Sequence, residues 1–145
     1  MSRDELRRTI TRDEGTGPMK HGRHMPYTDT AGKVTIGFGR NLTDRGLSMV
    51  EADICREHDI DDAIKDLIVR YPWVDSLDPV RQGVLVNMTF NLGIARLSGF
   101  KQTLARLQLH DYEGASVQML ESLWASQVGH RALRLAEQMR RGVWV

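Results

Sequence analysis

Between residues 15 and 46 the chain carries Gly15, Gly17, Pro18, Gly22, Pro26, Gly32, Gly37, Gly39 and Gly46. Breakers at that density forbid a helix, whereas the residues on either side read as helical. The chain is therefore constrained to a small irregular β region placed between one short helix and a long helical remainder. Within it, Lys33-Val34-Thr35-Ile36-Gly37-Phe38 is short and rich in β-formers, and Asp29-Thr30-Ala31-Gly32 precedes it as a turn. This predicts a small antiparallel sheet.

The flanks carry their own start and stop signals. Ser2 and Glu5 have capping-box spacing, Leu6 and Ile10 share a helical face, and Gly15 supplies a stop. A helix over about 3–13 follows, with Glu14 at its C-terminal end. Ser48 and Glu51 repeat the capping signature and open a helix to about Arg70, with Ala52, Ile54, Cys55, Ile60, Ala63, Ile64, Leu67 and Ile68 as its apolar stripe. Pro72 closes it. Asp78-Pro79 starts the next helix with proline in its first turn. That helix runs through Val84, Leu85, Met88 and Phe90 to Gly93, apolar on several faces, and is expected to be the central buried one. Later helices are predicted over 98–107, 112–120 and 130–141. Residues 16–26 read as a loop. Trp124 and Trp144 are expected as core anchors, and Cys55 as a buried small hydrophobe. The plan is α+β: one domain over 1–145, with a β lobe over about 15–46 and an all-α lobe from about 47.

Composition narrows the function. Twenty Lys and Arg against 19 Asp and Glu give a net charge of +1, without the basic excess of a dedicated nucleic-acid binder. Cys55 is the sole cysteine, so no intrachain disulfide forms. No apolar run reaches the roughly 20 residues that span a bilayer. The charged start, Met-Ser-Arg-Asp-Glu-Leu-Arg-Arg, has no apolar signal segment behind it, so synthesis in the cytoplasm without export is expected.

Glu14, Asp29 and Thr35 are the residues that could carry chemistry. Glycoside hydrolysis needs two carboxylates, one to protonate the leaving oxygen and one to act on the other side of the ring. A hydroxyl such as that of Thr35 can orient water. Spacing alone is thin support, because most acidic residues are solvated surface. His21 and His24 lack a third ligand, so a solvated loop is the better reading than a metal site. Gly37-Phe38-Gly39 lacks the third glycine and following helix of a dinucleotide fingerprint. Arg131, Arg134, Arg140 and Arg141 against Glu137 read as a solvated helix face, preferred over a surface that attracts the anionic cell envelope.

The segment from Tyr27 to Gly39, and Arg12-Asp13-Glu14-Gly15 ahead of it, resemble the active-site region of the T-even phage lysozymes, glycoside hydrolase family 24. The resemblance continues through Ser76-Leu77-Asp78, Asn87-Met88-Thr89-Phe90-Asn91-Leu92-Gly93, Ser98-Gly99-Phe100 and Trp124-Ala125-Ser126-Gln127. It closes on His130-Arg131-Ala132 and the run Arg140-Arg141-Gly142-Val143-Trp144. It implies a lysozyme-like α+β fold with the active-site cleft between the lobes. Glu14 would be the general acid, Asp29 the base that activates water, Thr35 a residue that holds that water, and Arg131 the arginine that pairs with the glutamate. Asn41, Phe90, Thr103 and Gln118 fall where the family contacts glycan, and only Phe90 keeps the expected side chain. Asn87 and Gln127 would shape the cleft floor.

The chain also departs from the family. The run between Glu14 and Asp29 is longer than in the T-even proteins, and Leu42–Ser48 is shorter, which removes a small helix. Arg40 replaces a histidine and is predicted to pair with Asp59. The resemblance implies an inverting N-acetylmuramidase that cuts the β-1,4 bond of peptidoglycan glycan strands for host lysis. It implies no metal or organic cofactor, no nucleic-acid partner, a monomer, and holin-dependent release from the host cytoplasm to the wall. The start and end of the chain favour a free endolysin over a domain of a phage tail protein. A non-catalytic peptidoglycan-binding relative and a nucleic-acid-binding helical domain are the alternatives.

Overall fold

The computed structural model describes residues 2–145, so of the 1–145 span only the first residue lies outside it. The chain forms two compact units, one through Ile54 and one over Cys55–Val145. The α+β lysozyme-like plan is borne out.

The first unit opens with α1, Arg3–Glu14, where Ser2 Oγ accepts the Glu5 N–H at 3.3 Å. Gly15, at φ 71°, stops the helix and returns its N–H to Thr11 O. Residues 16–26, expected as a loop, instead contain a hairpin. Its strands are β1, Met19–Lys20, and β2, Arg23–His24, paired antiparallel. His21 and Gly22 both have positive φ, 49° and 75°, the backbone that two-residue hairpin turns require. A histidine in that position hides the turn from a search for Asn-Gly or Asp-Gly. The expected antiparallel sheet follows: β3 (Tyr27–Thr28), β4 (Val34–Ile36) and β5 (Arg40–Asn41), with Tyr27 opposite Thr35 and Thr35 opposite Asn41. Alternation along β4 buries Thr35 and exposes Val34. No helix forms between Leu42 and Ser48, as expected.

Helix α2, Met49–Arg70, starts at the predicted capping box. Glu51 N–H donates to Ser48 Oγ at 3.3 Å, and Ser48 N–H to Glu51 Oε2 at 2.7 Å. Its predicted stripe is only partly used: Ala63 and Leu67 are buried, while Ala52, Ile54, Cys55 and Ile64 are exposed. Cys55 is thus a free, exposed thiol and not a core residue, because the core reaches α2 only in its later turns.

In the second unit a 3₁₀ turn at Pro72–Ser76 leads to α3, Pro79–Leu92. Asp78 Oδ1 caps α3 by accepting the Val80 and Arg81 N–H groups, each at 3.1 Å. Val80, Val84, Leu85, Met88 and Thr89 bury α3 as the central helix. Around it stand α4 (Ile94–Leu97), α5 (Lys101–Gln108), α6 (Tyr112–Leu120), α7 (Leu123–Val128) and α8 (His130–Arg141). The helix predicted over 98–107 begins only at Lys101, because the chain turns through Gly99 and Phe100. Helices α4 and α7 are too short for periodicity to reveal.

Leu67, Leu85, Met88, Leu97, Leu107, Met119 and Met139 are large, fully buried side chains of this core. Trp124 is buried and donates its indole N–H to Asn91 Oδ1 at 3.1 Å. Trp144 is not the core anchor expected, since it is 64% exposed. It follows the α8 stop at Gly142 and lays its ring edge on the bare Cα of Gly83, where a Cβ would meet the ring.

Arg81 ties three helices together. Nε donates to Met139 O at 2.7 Å, Nη2 to Arg140 O at 3.0 Å and Nη1 to Asp78 Oδ2 at 2.7 Å. Its guanidinium also lies 3.6 Å from the Tyr112 ring centroid. Burial raises the Asp78 pKa, but the Arg81 guanidinium with the Arg81 and Val80 N–H groups outweighs it, so the net shift is downward. Among the described residues, no helix is long and apolar enough to cross a membrane.

Candidate active site

Glu14, Asp29 and Thr35 all belong to the first unit. Glu14 is the last residue of α1, and the Gly15 stop leaves its side chain free of the helix ladder. Its carboxylate rests against Gly39: a Cβ there would stand 2.9 Å from Glu14 Oε2 and 3.3 Å from Cγ and Cδ. Gly39 has φ 81°, so both its backbone and its bare surface favour glycine. Glu14 is exposed, and its carboxylate lies against this glycine surface.

Asp29 is positioned by the β3–β4 turn. Its backbone N–H donates to Lys33 O at 2.9 Å, and its own carbonyl accepts Gly32 N–H at 3.0 Å. Oδ1 accepts the backbone N–H groups of Ala31 and Lys33 at 2.9 and 2.8 Å. Among the described residues Oδ2 meets the Thr35 hydroxyl alone, at 3.4 Å. That hydroxyl has one proton and also lies 3.3 Å from Lys33 O. Each carboxylate oxygen has two lone-pair sites, so Oδ1 is committed to the turn while Oδ2 keeps capacity for water. Thr35 is buried beside it, which sets the direction in which a water could be held.

The remaining residues predicted for the site lie on several elements of the two units. Asn41 bridges to Asp44, donating from Nδ2 to Oδ2 at 3.0 Å and accepting Asp44 N–H at 2.9 Å, so its amide is engaged at both ends. In the second unit Arg131 forks onto Asn87 Oδ1, at 3.1 Å from Nε and 2.7 Å from Nη2. Phe90 is exposed, beside a hollow of about 230 Å³ that Asp59, Asp62 and Asp66 also border. Thr103 and Gln118 are brought to one hollow, of about 700 Å³. Thr103 is 2% exposed and offers no group to a ligand, while the Gln118 amide donates to Glu121 at 2.7 Å. Gln127 is exposed on α7.

Arg40 does not take Asp59. Its Nη1 and Nη2 fork onto Glu51 at 2.8 and 2.7 Å, and Nε and Nη2 also reach Gly46 O. Glu51 lies at the first turn of α2, where Ser48 N–H already points at it, so a ready anion site lies nearer than Asp59. The Arg40 hydrogen bonds, then the Ser48 N–H, hold Glu51 down at about 2.

Two features escaped the sequence reading. One is Gly39 as the seat of Glu14; a glycine two residues beyond Gly37 was the available signal. The other is His24, whose Nδ1 lies 2.8 Å from Thr16 O and whose ring meets Phe38 edge-on at 5.2 Å. Thr16 O can only accept, so Nδ1 carries the proton.

Residues 19–141 match the family model described as Phage lysozyme. The match starts after Glu14, so that residue rests on the local geometry and the segment resemblance alone. A Dictyostelium discoideum protein, "Probable T4-type lysozyme 1", is 24% identical over 145 residues, covering 80% of this chain and 85% of that protein. With the matched region spanning most of the chain and the α+β fold around it, this protein belongs to the phage lysozyme family.

Proposed function

We propose that the chain is an N-acetylmuramidase that cuts the β-1,4 bond between N-acetylmuramic acid and N-acetylglucosamine, with Glu14 as general acid and Asp29 as general base. Family membership supports a lysozyme-type peptidoglycan hydrolase. The observation that carries the finer reading is the division of labour on Asp29, where Oδ1 is fixed by two N–H groups and Oδ2 faces the Thr35 hydroxyl with lone-pair capacity to spare. A carboxylate held in this way can take a proton from water without losing its own placement. Glu14, on a separate element of the same unit, is the partner that inverting hydrolysis requires.

Direct attack by the water held at Asp29 and Thr35 would invert the anomeric centre. Asn41, Phe90, Gln118 and Gln127 are the candidate glycan contacts. Both units act as one lysozyme domain, as a monomer, and the reaction needs no cofactor. The biological role is that of an endolysin that lyses the host once a membrane pore releases it to the wall.

The test is release of reducing sugar from purified peptidoglycan by the wild type and Glu14→Gln. Removing the transferable proton should lower the rate by roughly a hundredfold or more, with muramic-acid reducing ends and an inverted anomer in the wild-type product. Equal rates would remove Glu14 from the mechanism, and no release by the wild type would end the muramidase reading.

A further inference from the structure

Helix α1 buries none of its side chains, so apolar packing does not decide where its last residue, Glu14, lies on the sheet. The chain that leaves Glu14 adds little stiffness of its own. Thr16 stands between Gly15 and Gly17, at φ 71° and 63°, and glycine gives a backbone its widest freedom. A general acid carried there must be fixed from outside the segment, because a misplacement on the order of 1 Å costs rate steeply.

The β1–β2 hairpin supplies the outside contact. His24 Nδ1 donates to Thr16 O at 2.8 Å, just beyond Glu14 in the chain. The same ring meets Phe38 edge-on at 5.2 Å, and Phe38 precedes Gly39, the glycine against which the Glu14 carboxylate lies. One half-buried imidazole therefore touches both the chain that carries the acid and the residue next to its seat. Neighbouring contacts keep the segment close to the sheet. A Cβ at Gly17 would stand 3.0 Å from Gly37 O and from the Tyr27 ring. Met25 N–H donates to Pro18 O at 2.8 Å and closes the base of the hairpin.

We propose that His24 is a positioning residue for Glu14, holding the Gly15–Gly17 segment so that the acid stays on Gly39. This rests on Glu14 being the general acid. It gives the hairpin, part of the long run between Glu14 and Asp29, a role in the rate of the reaction. His24 acts through backbone and ring contacts and not on the substrate itself.

The test compares full-length wild type, His24→Phe and His24→Asn in steady-state release of reducing sugar, with thermal melting alongside. Phe keeps a ring against Phe38 and loses the donor, whereas Asn places an N–H about where Nδ1 stands. His24→Phe should lose about tenfold in kcat with KM little changed, the pattern of a lost transition-state contribution. Its Tm should move by only a few degrees, since one partly exposed hydrogen bond adds little stability. His24→Asn should recover most of the rate. An unchanged kcat in His24→Phe would overturn the proposal, as would equal losses in the two variants or a loss seen in KM alone. A rate loss matched by a Tm drop of more than about 10 °C would make His24 merely structural and overturn it too.

Backbone ¹⁵N relaxation supplies a readout independent of activity. The N–H order parameters of Gly15, Thr16 and Gly17 should fall from about 0.85 to under about 0.6 in His24→Phe. A wild type that releases no sugar yet shows this dependence on His24 loses the muramidase reading and keeps the clamp. A wild type that cuts glycan, with order parameters indifferent to the substitution, loses only the clamp.

Discussion

Replacing Gly39 by alanine separates two effects that usually arrive together. At φ 81° a Cβ carries left-handed backbone strain of about 1–2 kcal/mol. For a chain of this size that lowers Tm by roughly 5 °C. Gly37, at φ 62°, carries comparable strain, but a Cβ there meets nothing within 4 Å. At Gly39 the new methyl would stand 2.9 Å from Glu14 Oε2, so the carboxylate must retreat by roughly half an ångström, the tolerance of a working constellation. Glu14 is at the end of a flexible side chain, so the retreat costs little stability. A general acid displaced that far should lose on the order of tenfold or more in rate. The assay is thermal melting by circular dichroism with initial rates of reducing-sugar release at 20 °C, run on Gly39→Ala and Gly37→Ala side by side. Similar Tm losses with a much slower Gly39→Ala are expected. A Gly39→Ala enzyme as fast as Gly37→Ala would refute the view that Gly39 seats the acid.

Arg81→Ala should cost about 3 kcal/mol in urea unfolding, from two charge-assisted carbonyl contacts and the Tyr112 stack. Arg81→Lys should recover less than half, since an ammonium cannot fork and stack at once; a loss under about 1 kcal/mol for Ala would show the clamp to be ornamental. Glu51, held at about 2 in the folded chain, adds stability that is present above its ordinary carboxylate range and is lost as pH falls through about 2. Wild type should therefore melt above Glu51→Gln near neutrality, and the two curves should converge on acidification from about pH 4.5 toward 2. Parallel curves across that window would show that the Arg40–Glu51 pair contributes nothing.

Much of the architecture is local and so was readable. The Ser48–Glu51 box, the Asp78-Pro79 start and the α6 and α8 spans depend on contacts within a few residues, and each stands where the pattern put it. The antiparallel sheet likewise follows from β-formers between glycine turns, and apolar residues on several faces marked α3 as the central buried helix. The placement of Glu14 at a helix end and Asp29 in a turn was equally legible, because caps and turns are short-range chemistry.

Tertiary structure decided the pairings and the exposures, and sequence periodicity carries no distance information about either. Arg40 had several carboxylates in chain; the capped start of α2 brought Glu51 to it and left Asp59 unused. Cys55 lies on an apolar stripe whose first turns the core never reaches. Trp144 stays on the surface because the chain turns at Gly142 onto the glycine face of α3. Arg81 gathers carbonyls from the far end of the chain, and the His21-Gly22 turn folds His24 back onto Phe38. Each of these is a choice among near-equivalent partners made by where the backbone brings them, which the sequence alone leaves open.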